Sequence, residues 1–204
     1  MIRFVGAFQT TPRKREGLRS VKMPCAGCGK PKHGLNFNHP DLLVNSPQPS
    51  IWGPALWRML HTFAERVGRN VVVPLQLDEV REMELLVRSF PVALPCPACQ
   101  QHSREYIQTH PLGWAKLRGA DIVPTLRQWL YDFHDHVNKS KAEPTVSPAF
   151  ESIEAYYKGV LGLGIEERVI SDELKRALTF GWVKRDAAIK FKRHLECLRR
   201  LTGL

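Results

Sequence analysis

The sequence predicts an all-α protein: a bundle of four helices, preceded by an irregular arm and followed by a helical extension. Three observations lead to this fold class. Between Ile51 and Lys141, apolar residues recur at three- and four-residue steps in four separate stretches. Short breaks marked by Pro and Gly divide those stretches. Before Ile51 the pattern is different, because Pro12, Pro24, Pro31, Pro40, Pro47 and Pro49 punctuate the chain, with Gly27, Gly29 and Gly34 between them.

The elements follow in order. Residues 1–50 read as an arm without long regular structure. The first helix is expected over about 52–67, with Trp57, Leu60, His61 and Ala64 on one face. The second is expected over about 78–90, opened by Asp78 near its N-cap and carrying Val80, Met83, Leu86, Val87 and Phe90 on one stripe. Pro91 and Pro95 then break the chain. Cys96-Pro97-Ala98-Cys99 opens a third helix, with Pro97 suited to the first turn; it ends before Pro111 and Gly113. The fourth begins near Pro124 and runs to about Lys141, burying Leu126, Trp129, Leu130, Phe133 and Val137. Residues 145–204 stay helical, with Ser147 and Ser171 expected as N-caps. A last helix from Asp186 to Leu201 sets Ala188, Phe191, Leu195, Leu198 and Leu201 on one face. Three segments result: an arm over 1–50, a helical domain over 51–144 and an extension over 145–204.

Composition bounds the function. Hydrophobic residues make up 43% and charged residues 25% of the 204, the balance of a globular chain that folds without metal or disulfide staples. No apolar run reaches the roughly 18 residues that a membrane-spanning helix needs. Met1 to Gln9 is too short an apolar stretch for a secretory signal, and Arg13, Lys14, Arg15 and Arg19 are only faintly like a mitochondrial presequence. The net charge of +10 is uneven. Lys and Arg exceed Asp and Glu by 8 to 2 over residues 1–50, by 11 to 10 over 51–144 and by 11 to 8 over 145–204. The basic extensions suit an anionic partner, or simply a solvated surface.

Chemistry concentrates around the cysteines. Four of the five form two C-x-x-C pairs, Cys25/Cys28 and Cys96/Cys99, and Cys197 stands alone as an expected helix-face thiol. This spacing serves a redox dithiol or half of a zinc site. At a helix N-terminus the free backbone N–H groups and the dipole favour a thiolate, so Cys96/Cys99 reads as redox-active. Cys96 would be the accessible thiol and Cys99 the deeper one, with His102 at i+3 on the same face. On the fourth helix His134, Asn138 and Lys141 form one stripe, as Trp57 and His61 do on the first. Rings, an amide and an ammonium converging near a dithiol suit a large planar cofactor with phosphates.

Three blocks then acquire a common meaning. Trp52-Gly53-Pro54-Ala55-Leu56-Trp57-Arg58-Met59-Leu60-His61-Thr62 resembles the W-G-x-x-x-W-x-x-x-H-T opening of the Erv/ALR family of FAD-linked sulfhydryl oxidases. Leu94-Pro95-Cys96-Pro97-Ala98-Cys99-Gln100-Gln101-His102 resembles its Y-P-C-x-x-C-x-x-H segment, and Trp129 to Asn138 its W-x-C-x-x-H-N-x-V-N. All three agree in order and spacing over roughly 90 residues. The resemblance implies a four-helix bundle with a short fifth helix, holding FAD, often as a dimer. It places Cys99 beside the flavin and Cys96 in exchange with a protein dithiol. It makes Gly53, Trp57, His61, His102, His134, Asp135, Val137 and Asn138 cofactor-binding positions, with Lys139 and Lys141 facing the phosphates. The implied reaction turns a dithiol and molecular oxygen into a disulfide and hydrogen peroxide. The sequence departs from the pattern at Tyr131, where the family has Cys, at Asp135 for Asn, at Leu94 for Tyr, at Pro54 for a frequent Arg and at Glu143 for a base.

Family members also carry a dithiol on a flexible arm, and Cys25/Cys28 suits that shuttle. The rival is zinc, since Cys25, Cys28, His33 and His39 form C-x2-C-x4-H-x5-H. A different class of function is an assembly protein of a virus particle that reuses this fold without turnover, because the family has members in large DNA viruses. A nucleic-acid module built on the arm lacks the aromatic interleaving of a single-strand platform. The compartments compatible with the resemblance are a virion or its assembly site, or the mitochondrial intermembrane space.

Overall fold

The computed structural model describes residues 45–141 and 144–204, and every described element is helical or irregular. Among the described residues seven α-helices follow one another: α1 Pro49–Arg66, α2 Val73–Ala93, α3 Pro97–Thr109, α4 Ile122–Lys139, α5 Ile153–Tyr157, α6 Gly164–Thr179 and α7 Arg185–Thr202. Single 3-10 turns at Trp114–Lys116, Gly119–Asp121 and Phe150–Ser152 join them. Among the described residues no strand occurs, and no helix is long and apolar enough to cross a membrane.

Prolines start α1, α2 and α3, occupying the first turn where a missing N–H costs nothing. The α2 helix begins at Val73, five residues before Asp78. Asp78 is therefore exposed within the helix and not its cap, because Pro74 supplies a start signal that the apolar stripe alone does not show. The same helix runs through Pro91 to Ala93; Pro95, not Pro91, ends it. Ser171 lies inside α6, which starts at Gly164, and Ser147 caps no helix. Its hydroxyl instead accepts a hydrogen bond from Asn138 Nδ2 at 3.0 Å.

After α1 the chain turns at Gly68, with φ +82°. A Cβ there would lie 2.7 Å from Ile122 of α4, so both the backbone angle and the close approach demand glycine. Glu65 of α1, fully buried, takes two hydrogen bonds from Arg127 of α4 at 2.6 and 2.7 Å. Arg127 also reaches Glu154 of α5 at 3.0 Å, so a buried, paired charge ties three helices together.

The C-terminal helices share this core. Helix α7 lies along α2, with Phe191 against Phe90 (6.1 Å between ring centres) and His194 Nδ1 2.7 Å from Glu82. Helix α6 lies along α1, where Arg58 pairs with Glu166 at 2.8 Å and the Gln48 N–H donates to buried Glu173 at 2.8 Å. Leu60, Leu86, Leu126, Ile170, Leu174 and Phe191 belong to one continuous apolar cluster.

Candidate functional site

Helix α3 starts at the Cys96/Cys99 pair. Cys96 is its N-cap residue, in extended conformation, and Cys96 Sγ accepts the Cys99 N–H at 3.2 Å. Cys96 and Cys99 are joined as a disulfide, with Cα atoms 5.2 Å apart. Pro97 at the first helical position and Pro95 before the turn hold the pair at the helix start, where the dipole supports a thiolate on reduction.

Cys99 opens onto a cleft of about 660 Å³ between α1, α3 and α4, within the range of cofactor sites. Its walls are mostly apolar and aromatic: Trp52 and Trp57 from α1, Phe90 and Leu94 at the end of α2, Phe133 and Val137 from α4, and Tyr157 from α5. Trp57 stacks on His134, with ring centres 4.1 Å apart and planes 9° from parallel. His61 lies behind that ring, its Nε2 3.1 Å from His134 Nδ1, and it stacks on Tyr157 at 4.9 Å.

Burial fixes the protonation of this pair. It lowers His61 to about 3, with the neighbouring His134 adding to the shift. It lowers His134 to about 4, where nearby Lys141 pushes the same way and Asp135 opposes. Both rings are therefore neutral near pH 7, and one donates to the other. Either tautomer leaves His61 Nδ1 buried without a partner, and the indole Nε1 of Trp52, on the cleft wall, has none either. Buried polar atoms without partners are rare and costly. Trp52 stands on the wall of an aromatic slot that ends at a disulfide, with His61 a layer behind, so the cleft suits a planar heteroaromatic ligand.

At the cleft mouth Lys141 Nζ donates to Asn138 Oδ1 at 2.7 Å and Thr145 Oγ1 at 3.1 Å. Asn138 in turn holds Ser147. Lys141 is the Lys or Arg side chain that lines the cleft among the described residues.

The sequence-derived positions divide accordingly. Gly53, Trp57, Cys99, His102, His134, Val137 and Lys141 line the cleft. His61 and Asn138 stand one layer behind, bonded to His134 and Lys141. Asp135 and Lys139 do not line it: they form an ion pair with each other, which holds the Asp135 carboxyl below its usual range and Lys139 above its own. Cys25, Cys28, His33 and His39, with both the shuttle and the zinc reading, lie outside the described residues. Cys197 is partly buried on α7, and burial pushes its thiol up.

Other wall residues escape sequence reasoning. Tyr157 sits beyond Pro144 on a five-residue helix too short to show periodicity. Trp52, Phe90 and Phe133 read as ordinary core positions. The clue available for Trp52 was its place in the W-G block.

Comparison with known proteins agrees with this geometry. The sequence model of the Erv1 / Alr family matches residues 54–158, running past Pro144 to include Tyr157. A protein of Invertebrate iridescent virus 3, provisionally named FAD-linked sulfhydryl oxidase 096R, is 35% identical over 105 residues, covering 50% of this chain and 64% of that protein. A similarly provisional FAD-linked sulfhydryl oxidase 347L of Invertebrate iridescent virus 6 is 26% identical over 102 residues, covering 47% of this chain and 84% of its own length. The FAD-linked sulfhydryl oxidase of African swine fever virus (isolate Tick/Malawi/Lil 20-1/1983) is 27% identical over 96 residues, covering 47% and 72%. The chain thus spans just under two thirds of the iridescent virus 3 protein. No solved structure matches it. Because the family match takes in more than half of the 204 residues and contains the disulfide and most of the cleft, the chain belongs to the Erv1 / Alr family.

Proposed function

We propose that the protein is an FAD-dependent sulfhydryl oxidase acting on protein dithiols. One observation carries the reading: the Cys96–Cys99 disulfide opens, through Cys99, onto an aromatic cleft walled by Trp52, Trp57, Phe133, His134 and Tyr157. FAD fits this lining. Trp57, His134, Phe133 and Tyr157 would flank its rings, and Lys141 would meet its phosphates.

The chain's own part is thiol–disulfide exchange and positioning. A substrate thiolate attacks Cys96 Sγ, forming a mixed disulfide and releasing Cys99 as the thiolate. The second substrate thiol then displaces Cys96, so the substrate leaves as a disulfide and the pair is left as a dithiol. The α3 N-terminus stabilises both thiolates through its free N–H groups. Neutral His61 and His134 add no competing cation to the apolar wall. FAD, when bound, would supply the redox chemistry by which the pair's two electrons, with two protons, convert oxygen into hydrogen peroxide. The name of the viral relatives as FAD-linked oxidases supports this assignment. Two copies of the chain per molecule, as the family resemblance implies, and an anionic partner for the basic segments are further parts of the proposal. The viral relatives support a viral setting.

Purified protein should be yellow, with an absorption band at roughly 450 nm from bound flavin, and should consume oxygen when given dithiothreitol. Cys99→Ser should keep the colour, change the band shape and abolish dithiol-driven oxygen uptake. Colourless protein that stays colourless after refolding with excess FAD would sink the enzyme and leave an assembly protein on this fold.

A further inference from the structure

The helical segment after residue 158 lies outside the stretch matched by the family, yet it touches the redox turn. The contact is Gln100, on the first turn of α3, one helical turn beyond Cys96. Its amide nitrogen donates to Leu94 O at 2.8 Å and to Trp182 O at 3.0 Å. Leu94 O also accepts the Cys96 N–H at 2.8 Å. One amide thus joins the carbonyl of Leu94, two residues before Cys96, to a carbonyl 82 positions beyond Gln100. Leu94 is itself a wall of the cleft.

The Trp182 carbonyl is well placed to act as an anchor. Helix α6 ends in a turn at Gly181, with φ +67°, where the Trp182 N–H returns to Ala177 O at 2.9 Å and the Gly181 N–H to Leu178 O at 3.0 Å. Val183 next to it is buried in the core. The carbonyl is fixed by α6 and α7, which pack on α1 and α2. Movement of the redox turn must therefore stretch or break the Gln100 contact.

We propose that Gln100 is a positioning residue for the Cys96–Cys99 pair, acting by hooking the Leu94–Cys96 turn to the α6–α7 turn. The hook favours the disulfide. Reduction breaks the Sγ–Sγ bond, the sulfurs separate, and the Cys96 backbone is freed to move away from the position that Gln100 holds. The inference rests on the reading of Cys96 and Cys99 as a redox pair, and it gives the C-terminal segment a role in setting how readily that pair accepts electrons.

The test is an anaerobic equilibration of the whole protein with dithiothreitol buffers, followed by thiol alkylation and mass measurement of the peptide containing Cys96 and Cys99. Dithiothreitol passes two electrons and two protons to the disulfide and closes into its own ring, so the midpoint ratio reports the equilibrium directly. Gln100→Glu keeps the side-chain length but replaces the donor with an acceptor facing two carbonyls, and Gln100→Ala removes it. Both should make the pair more readily reduced by about three- to tenfold, the worth of one hydrogen bond, and should lower the urea midpoint of the oxidised protein more than that of the reduced protein. Gly181→Ala, which strains the anchoring turn, should shift the equilibrium in the same direction. In the Gln100→Ala background it should add nothing, because the two changes break one connection. Unchanged dithiothreitol midpoint ratios in folded Gln100 variants, or a Gly181 effect that persists without Gln100, would overturn the proposal. The measurement needs no flavin, so loss of the oxidase reading would show separately, as colourless protein with no oxygen uptake.

Discussion

Lys141 and Lys139 sit two residues apart on the sequence but do different work. Lys141 lines the cleft and is held toward it by Asn138 and Thr145, whereas Lys139 is spent on Asp135 outside the lining. Lys141→Ala should weaken FAD binding by about 10- to 100-fold, the range for a hydrogen bond to a charged group, while Lys139→Ala should change it less than threefold or so, as for an exposed ion pair. Titration of the apoprotein with FAD, followed by quenching of flavin fluorescence, reads both. The histidine pair makes a second prediction at this scale. In the unfolded chain each ring takes up a proton near the ordinary imidazole value of 6.5, but in the folded chain only near 3 and 4. Between those values the unfolded state binds more protons, so the stability is whole above pH 6.5 and is lost as pH falls through the window. Thermal midpoints should drop from pH 6.5 toward pH 4, and His134→Gln should make that slope shallower. A slope equal to that of the natural protein would contradict a neutral, buried pair.

Individual helices depend on contacts that their own sequences do not contain. The start of α1, which carries Pro49 and Ser50 of the cleft rim, has no side-chain cap of its own. Glu173 of α6 supplies the missing acceptor by taking the Gln48 N–H, and Arg176 pairs with the same carboxylate. Glu173→Ala removes the carboxylate that both groups share and should cost about 1–3 kcal/mol of stability. It should also loosen the cleft rim, so urea midpoints and FAD affinity should fall together. Cys96 does for α3 what a serine does elsewhere, because its sulfur accepts the Cys99 N–H at the N-cap. That contact also explains why the pair sits at a helix start and not in its middle.

At the scale of the whole molecule, α6 and α7 complete the bundle. Phe191 of α7 stands behind Phe90, a cleft wall, and Ile170, Leu174 and Leu198 continue the same apolar cluster. Phe191→Ala should cost about 3–5 kcal/mol, which is a large part of the stability of an ordinary domain. A chain ended after residue 158 would keep all of the family-matched stretch but uncover the faces of α1 and α2 that α6 and α7 bury. It should therefore bind a hydrophobic dye and lose cooperative unfolding, where a dispensable tail would leave both unchanged.

The sequence by itself determined the helices, because apolar periodicity is a local property and shows wherever a helix is long and one-sided. It also placed Cys96 and Cys99 at a helix start and picked out many of the residues at the cleft, because residue types at set spacings on one helix face necessarily share that face: Trp57 with His61, and His134 with Val137 and Lys141. Boundaries were less legible where a proline starts a helix, as at Pro74, or is carried within its last turn, as at Pro91. The tertiary structure alone decided that Tyr157 joins the cleft and that Asp135 pairs with Lys139 outside its lining. It alone showed that Gln100 reaches Trp182 and that α6 and α7 wall the same core. Each of these depends on which faces of distant helices meet, and local periodicity carries no information about that pairing.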